Sequence, residues 1–185
     1  MLRLALALSL LLAIPARADS IEEKAALCAA CHGEKGVPIE SVIPIIWGQN
    51  AGYLYLQLRD FQKGARKDER MSAIAAGVAK EDALALAEYF AAKSWPNLQQ
   101  PATGAPDVAV ARRINATIVC TSCHLEQYQG DSSVPRTAGQ SHDYLAKTML
   151  DFRNRTRANN PGMSDLMNAA SEDELKAMAA YLAGL

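Results

Sequence analysis

The chain has 185 residues, 50% of them hydrophobic by a broad count, 21% charged and only 6% aromatic. These proportions are globular and exclude a disordered, collagen-like or coiled-coil protein. With 19 basic against 20 acidic side chains the formal charge is −1, which excludes the basic face of a nucleic-acid binder.

The first residues have the form of an export leader. Met1-Leu2-Arg3 is a short positive start, Leu4 to Ile14 is an apolar run, Pro15 breaks it, and Ala16-Arg17-Ala18 has the small-x-small pattern of a cleavage site. Residues 1–18 are expected to be a cleaved secretory signal peptide, because the run is too short to span about 30 Å of hydrocarbon as a helix. No later segment approaches the ~20 apolar residues that a membrane helix needs. The expected location is the periplasm.

Ser20 with Glu23 makes a capping box for a helix from Ile21 towards Cys28. Cys28, Cys31 and His32 then form a CxxCH string. Leu54, Leu58 and Phe61 repeat at helical spacing, Met71 follows the polar run Arg66 to Arg70 and is expected to open a loop, and Ala83, Leu86, Ala87 and Phe90 form a second helical stripe. Lys93 to Val110 holds Pro96, Pro101, Gly104 and Pro106 with little periodicity and reads as an extended linker. A second CxxCH string follows at Cys120, Cys123 and His124, then the stripes Leu145, Met149, Phe152 and Leu175, Met178, Ala179, Leu182, the last capped by Ser171 and Glu174.

The two halves repeat. An offset of 92 takes Cys28, Cys31, His32, Met71 and Tyr89 to Cys120, Cys123, His124, Met163 and Tyr181. Between those anchors an offset of 91 takes Pro44, Gly48-Gln49, Tyr53-Leu54, Phe61 and Arg66 to Pro135, Gly139-Gln140, Tyr144-Leu145, Phe152 and Arg157. No stretch has the strict alternation of a strand. The expected architecture is all-α, two tandem domains related by internal duplication, at 19–93 and 111–185 with a linker at 94–110. Units of about 75–80 residues have marginal cores of their own, so a covalently held macrocycle would complete them.

CxxCH is the attachment signal for c-type haem. One helical turn spaces two thiols to form thioethers with the vinyl groups of one porphyrin, and the next histidine supplies a nitrogen to its iron. Structural zinc needs four ligands in one site, whereas each pair here belongs to its own repeat. A thioredoxin-like pair wants a βαβ context, and short disulfides leave both histidines and the duplication unexplained. Two covalent haem c groups are therefore expected on Cys28/Cys31 and Cys120/Cys123.

Histidine with methionine is the electron-transfer arrangement of haem iron. His32 to Met71 and His124 to Met163 are both 39 residues, so these four are the expected axial ligands. Met167 pairs with Ala75 across the repeat, Met149 and Met178 lie on helix stripes, and His142 pairs with Ala51 and is expected to face solvent. The carbonyls of Pro44 and Pro135 are the expected acceptors for the second nitrogen of each ligating histidine. Gly48 and Gly139 are expected to allow close approach to the macrocycle, and Trp47, matched by Ala138, to pack in the core.

In Cys28-Ala-Ala-Cys-His-Gly33, Pro44-Ile-Ile-Trp-Gly-Gln49, Tyr53-Leu-Tyr-Leu-Gln-Leu58, Phe61-Gln-Lys-Gly-Ala-Arg66, Met71 and Ala87-Glu-Tyr-Phe90, and in their second-half equivalents, the sequence resembles the dihaem cytochrome c4 family. That resemblance implies two cytochrome c folds about a pseudo-twofold axis, neighbouring haems, and a periplasmic carrier of electrons towards a terminal oxidase. Leu125 departs from it where glycine is expected after His124, and the loop Glu126 to Ser133 is unusually polar. The dihaem subunit of flavocytochrome sulfide dehydrogenase shares the implied architecture and is similar in the second half. A carrier would show a small docking surface and a permanent subunit a contiguous apolar patch. An enzyme with an open iron is opposed by the matched methionines.

Overall fold

Glu23 donates its N–H to the Ser20 hydroxyl at 3.2 Å while its carboxylate accepts the Ser20 N–H at 2.7 Å, and this capping box starts α1, Ile21–His32. The computed structural model describes residues 20–185, so the leader read at residues 1–18 lies outside the described residues. The first unit continues with α2 (Ala51–Gln62), α3 (Glu69–Ala76) and α4 (Lys80–Ala91). The second holds α5 (Ala105–Ile118), α6 (Thr121–His124), α7 (His142–Arg153), α8 (Pro161–Asn168) and α9 (Glu172–Ala183). Among the described residues there is no strand, only an isolated bridge between Asp131 and Val134. No helix among them is long and apolar enough to cross a membrane.

The repeat is visible in the packing. In the first unit α4 packs on α1 and α2, and α2 also meets α3; in the second α9 packs on α5 and α7, and α7 meets α8. The apolar stripes read from the sequence supply these contacts. Phe61 and Phe152 are buried at equivalent places, each worth about 1.5–3 kcal/mol relative to exposure. Leu86 and Phe90 of α4 pack against Ala25, and Leu175, Met178 and Leu182 of α9 join Ile114, Leu145 and Met149.

Two expectations need correction. The stretch 94–110 is not extended throughout, because α5 begins at Ala105, with Gly104 as its N-cap and Pro106 in its first turn. Proline there loses nothing, since the first helical N–H groups have no partner inside the helix. Met71 does not open a loop either. The Asp68 carboxylate accepts the N–H groups of Arg70 and Met71 at 3.1 and 2.9 Å, so the polar run ends in a helix cap and Met71 lies in the first turn of α3.

The units dock through reciprocal hydrogen bonds. The Gln49 amide accepts from the Arg136 N–H at 2.8 Å and donates to the Arg136 carbonyl at 2.9 Å. The equivalent Gln140 treats Ile45 in the same way, at 2.8 and 3.0 Å. The polar loop Glu126 to Ser133 is part of this seam: Ser132 accepts the Tyr53 N–H at 3.1 Å, and Asn50 donates to the carbonyl of Val134 at 2.7 Å. The non-helical part of the connection closes the seam, with Trp95 under the Arg136 guanidinium at 4.5 Å and Gln100 donating to the carbonyls of Gln140 and Ala183.

Candidate cofactor site

The last two turns of α1 carry Cys28, Cys31 and His32 on one side, and the side chains line a cleft. The second string is built differently. Helix α5 ends at Ile118, Val119 takes a left-handed conformation (φ 56°), and the short α6 then presents Cys123 and His124 to the same cleft, with Cys120 at its N-cap. The Asn115 side chain bridges the break by accepting the Thr121 N–H at 3.2 Å.

The cleft is continuous across both units, with a volume of about 670 Å³ and mainly apolar walls. Both cysteine pairs, both motif histidines, Met71 and Met163 line it. None of the four thiols is in a disulfide. Burial raises the Cys28 and Cys120 thiols above their ordinary range and so keeps them protonated.

The histidines are held alike. His32 Nδ1–H donates to the Pro44 carbonyl at 2.7 Å, and His124 Nδ1–H to the Pro135 carbonyl at 2.9 Å. Burial pushes both rings below the usual histidine range, against the opposing pull of those carbonyls. A neutral ring whose proton is fixed on Nδ1 has its Nε2 lone pair free for a metal. The methionines are also positioned alike. Asn160 caps α8 by accepting the Met163 N–H at 3.1 Å, as Asp68 does for Met71. Both methionines are half-buried, whereas Met149, Met167 and Met178 sit within the second core. His142 is exposed on α7, paired with Asp143 at 2.9 Å and away from the cleft.

Gly48 and Gly139 do not border the cleft, contrary to the sequence expectation. Both have positive φ, and a Cβ on Gly48 would stand 2.8 Å from the Trp95 backbone nitrogen, one on Gly139 3.2 Å from its ring nitrogen. Their small size serves the connection between units. Trp47 packs on the first core. Gly33 has φ +89°, and a Cβ there would stand 1.9 Å from the Val37 carbonyl oxygen; Leu125 holds the equivalent position, also at positive φ (64°).

Sequence reasoning assigned no role to four residues that the fold brings together at the cleft. Arg66 donates to the Tyr144 hydroxyl at 3.2 Å, and Arg157 to the Tyr53 hydroxyl at 3.3 Å, each bond crossing between units. Each guanidinium also lies over the phenylalanine of its own unit, Arg66 over Phe61 at 4.7 Å and Arg157 over Phe152 at 4.3 Å. The signal was in the sequence, as the repetition of Arg, Tyr and Phe at one offset.

The residues present fit haem. Apolar walls exclude water from a macrocycle, paired thiols stand at attachment spacing, and fixed imidazoles offer Nε2. Two buried donor groups of the wall, Arg59 Nε and Thr137 Oγ1, have no hydrogen-bond partner among the described residues and suit a polar substituent. Tandem all-α units with this equipment define a dihaem c-type cytochrome.

Comparison with known proteins gives the particular family. No family model matches the chain. It is 32% identical over 168 residues to cytochrome c4 of Thiocapsa roseopersicina, covering 86% of this chain and 87% of that one. It is also 32% identical over 169 residues to the thiosulfate dehydrogenase electron acceptor of Stutzerimonas stutzeri strain A1501, covering 85% of this chain and 78% of that one. The solved cytochrome c4 of Acidithiobacillus ferrooxidans superposes with a TM-score of 0.78 at 28% identity, over 86% of this chain and 99% of that one. The chain belongs to the cytochrome c4 family. It is a dihaem electron carrier, not an enzyme, with two covalently bound haem c groups, and it exchanges electrons with redox partners.

Proposed function

We propose that Cys28 and Cys31 hold one haem c by thioether bonds and Cys120 and Cys123 the other, with His32 and Met71 ligating the first iron and His124 and Met163 the second. The observation that carries this reading is the equivalence of the two halves. Each histidine is pinned by a proline carbonyl at 2.7 or 2.9 Å, and each methionine is held by a capped short helix on the same cleft. When bound, each haem supplies one-electron exchange between ferric and ferrous iron. The chain's own residues exclude water with the walls of α2, α4, α7 and α9, hold each imidazole in one orientation, and offer a thioether sulfur that favours ferrous iron and raises the potential.

The protein works in the periplasm, as the leader pattern at residues 1–18 suggests, and passes electrons from the respiratory chain towards a terminal oxidase. The relative named as a thiosulfate dehydrogenase electron acceptor favours a second reading, in which a dehydrogenase is the donor. A redox titration of protein matured in a periplasm tests the ligation. Two covalent haems, a ferric methionine–iron band and two high potentials are expected. A high-spin component, or one low potential, would overturn the paired ligation. Reduction rates with a purified dehydrogenase and oxidation rates with a membrane oxidase then separate the two partners.

A further inference from the structure

The charged run before Met71 has a member that the helix cap does not account for. Lys67-Asp-Glu-Arg70 precedes the first methionine, whereas at the offset of 92 the neutral Asn159-Asn-Pro-Gly162 precedes the second. Asp68 and Asn160 are equivalent, since each caps the helix that follows. Arg70 has no counterpart, because Gly162 stands in its place. Its guanidinium donates to the Glu40 carboxylate at 3.1 Å, 30 positions back in the chain.

Both ends of this pair are anchored beside cofactor residues. Arg70 adjoins Met71, and the Asp68 carboxylate holds the N–H groups of both at 3.1 and 2.9 Å. Glu40 follows Ile39, whose N–H donates to the Cys31 carbonyl at 3.1 Å, and the Glu40 carbonyl accepts the Ile43 N–H at 3.0 Å. The far end of α3 is tied to α2 by Gln62, which donates to the carbonyls of Ala75 and Val78 at 3.2 and 2.8 Å. The first turn, which carries Met71, has no such tie to α2. Among the described residues the Arg70–Glu40 pair is the one hydrogen bond or ion pair that joins that turn to another part of the chain. In the second unit Arg155 pairs with Asp165 at 2.8 Å and holds α8 to the turn just before it. Among the described residues no ion pair leads from α8 to the segment 125–134.

We propose that Arg70 and Glu40 are positioning residues for the first iron: their ion pair latches the methionine helix to the attachment loop and keeps Met71 in place, and the second unit has no such latch. This inference rests on the axial ligation proposed above. The two side chains are 55% and 50% exposed, so solvent and salt reach the pair. An exposed pair is weak and screened, and it biases opening of the helix without locking it. Ionic strength should therefore loosen Met71 and leave Met163 unaffected. The two units, alike in their ligands, differ in how firmly the methionine is retained.

The test is capture of the ferric mature holoprotein by imidazole at about pH 8, where the probe is largely neutral. It is followed as loss of the methionine–iron band, and since the methionine must leave first, its rate reports opening. A Met163→Ala background leaves the first methionine band alone, and a Met71→Ala background leaves the second. Arg70→Gln and Glu40→Gln should each speed capture at the first iron by about two- to fivefold, the scale of an exposed ion pair, and leave the second unchanged. The two variants alter local charge in opposite directions, so acceleration by both reports the lost pair and not the local potential. The swapped double variant, Glu40→Arg with Arg70→Glu, should restore the slower rate. Raising salt from about 0.01 to 1 M shortens the screening length from about 30 to 3 Å. That should speed capture at the first iron with the pair intact, and not in either Gln variant. Unchanged capture at the first iron, opposite changes in the two Gln variants, or equal acceleration at both irons would overturn the proposal. If Met163→Ala protein fails to mature, the two capture phases of the unmodified holoprotein decide. A phase that salt speeds in the parent and not in Arg70→Gln supports the latch, and two phases indifferent to Arg70→Gln overturn it. A parent without a methionine–iron band would instead fail the axial ligation itself.

Discussion

Gln140 holds both backbone groups of Ile45, accepting its N–H at 2.8 Å and donating to its carbonyl at 3.0 Å, 95 residues away in the chain. Gln49 makes the same two bonds to Arg136, and both glutamines are 3% exposed. A side-chain amide thus imitates a peptide partner at each end of a twofold seam. The adjoining Pro44 and Pro135 carbonyls are the ones that orient the two histidines. Docking of the units and alignment of the iron ligands therefore share one stretch of backbone.

Gln140→Ala should leave the buried Ile45 N–H and carbonyl without partners, at a cost of about 2–3 kcal/mol. The expected result is a thermal unfolding profile that separates into two transitions where the parent has one. A single transition at the parental midpoint would show that the seam does not depend on this amide.

Met71→Ala and Met163→Ala should each open one iron. Each variant is expected to lose half of the ferric methionine–iron absorption and to lower one potential while leaving the other near its parental value. The assignment fails if either variant keeps the parental spectrum, and Met167→Ala, a core truncation costing about 2–5 kcal/mol, serves as the control that alters stability and not ligation.

Val119 stands in a left-handed conformation (φ 56°, ψ 49°) one residue before Cys120, the first cysteine of the second attachment string, and it is 50% exposed. That conformation costs a β-branched residue about 1–2 kcal/mol. Val119→Gly should therefore stabilise the second unit by about 1 kcal/mol, read as a higher denaturation midpoint. Asn115→Ala, which frees the buried side of the break, should lower both that midpoint and the fraction of protein carrying the second haem.

Glu174 closes the capping box of α9, accepting the Ser171 N–H at 2.9 Å, and it pairs with Arg113 at 3.1 Å. The Ser171 backbone bond, then Arg113, hold its carboxyl down at about 2, against an ordinary 4.5. A depressed pKa in the folded state contributes stability above the unfolded value, and that contribution is lost as pH falls through the folded one. Acid should therefore weaken the second unit between about pH 4.5 and 2, and Glu174→Gln should flatten that part of the stability curve. An unchanged acid slope in the variant would place the sensitivity elsewhere.

Most of the fold was legible because local chemistry and repetition agreed. Ser20 with Glu23 and Ser171 with Glu174 announced helix starts from side chains that act within three residues. Apolar spacing marked α2, α4, α7 and α9, and equal distances from His32 to Met71 and from His124 to Met163 singled out two methionines among several. Errors arose where one residue type has two local uses. Pro106 reads in sequence as part of an extended linker yet stands in the first turn of α5, and Met71 reads as opening a loop after the polar run, yet Asp68 in that run caps the helix that contains it.

The sequence by itself determined the duplication, the helical class and the haem attachment motifs, because all three are written in spacing along one strand of chain. Only the tertiary structure decided how the halves meet. Gln49, Gln140, Arg66 and Arg157 look like ordinary polar residues in sequence, and their partners lie 78 to 104 positions away. Gly48 and Gly139, equally conspicuous as a repeated pair, proved to serve the crossing connection at Trp95 and not the cofactor cleft. The physical reason is the same throughout. Periodicity and caps are local energies, whereas the pairing of buried charges and amides exists only once two surfaces have excluded water from between them.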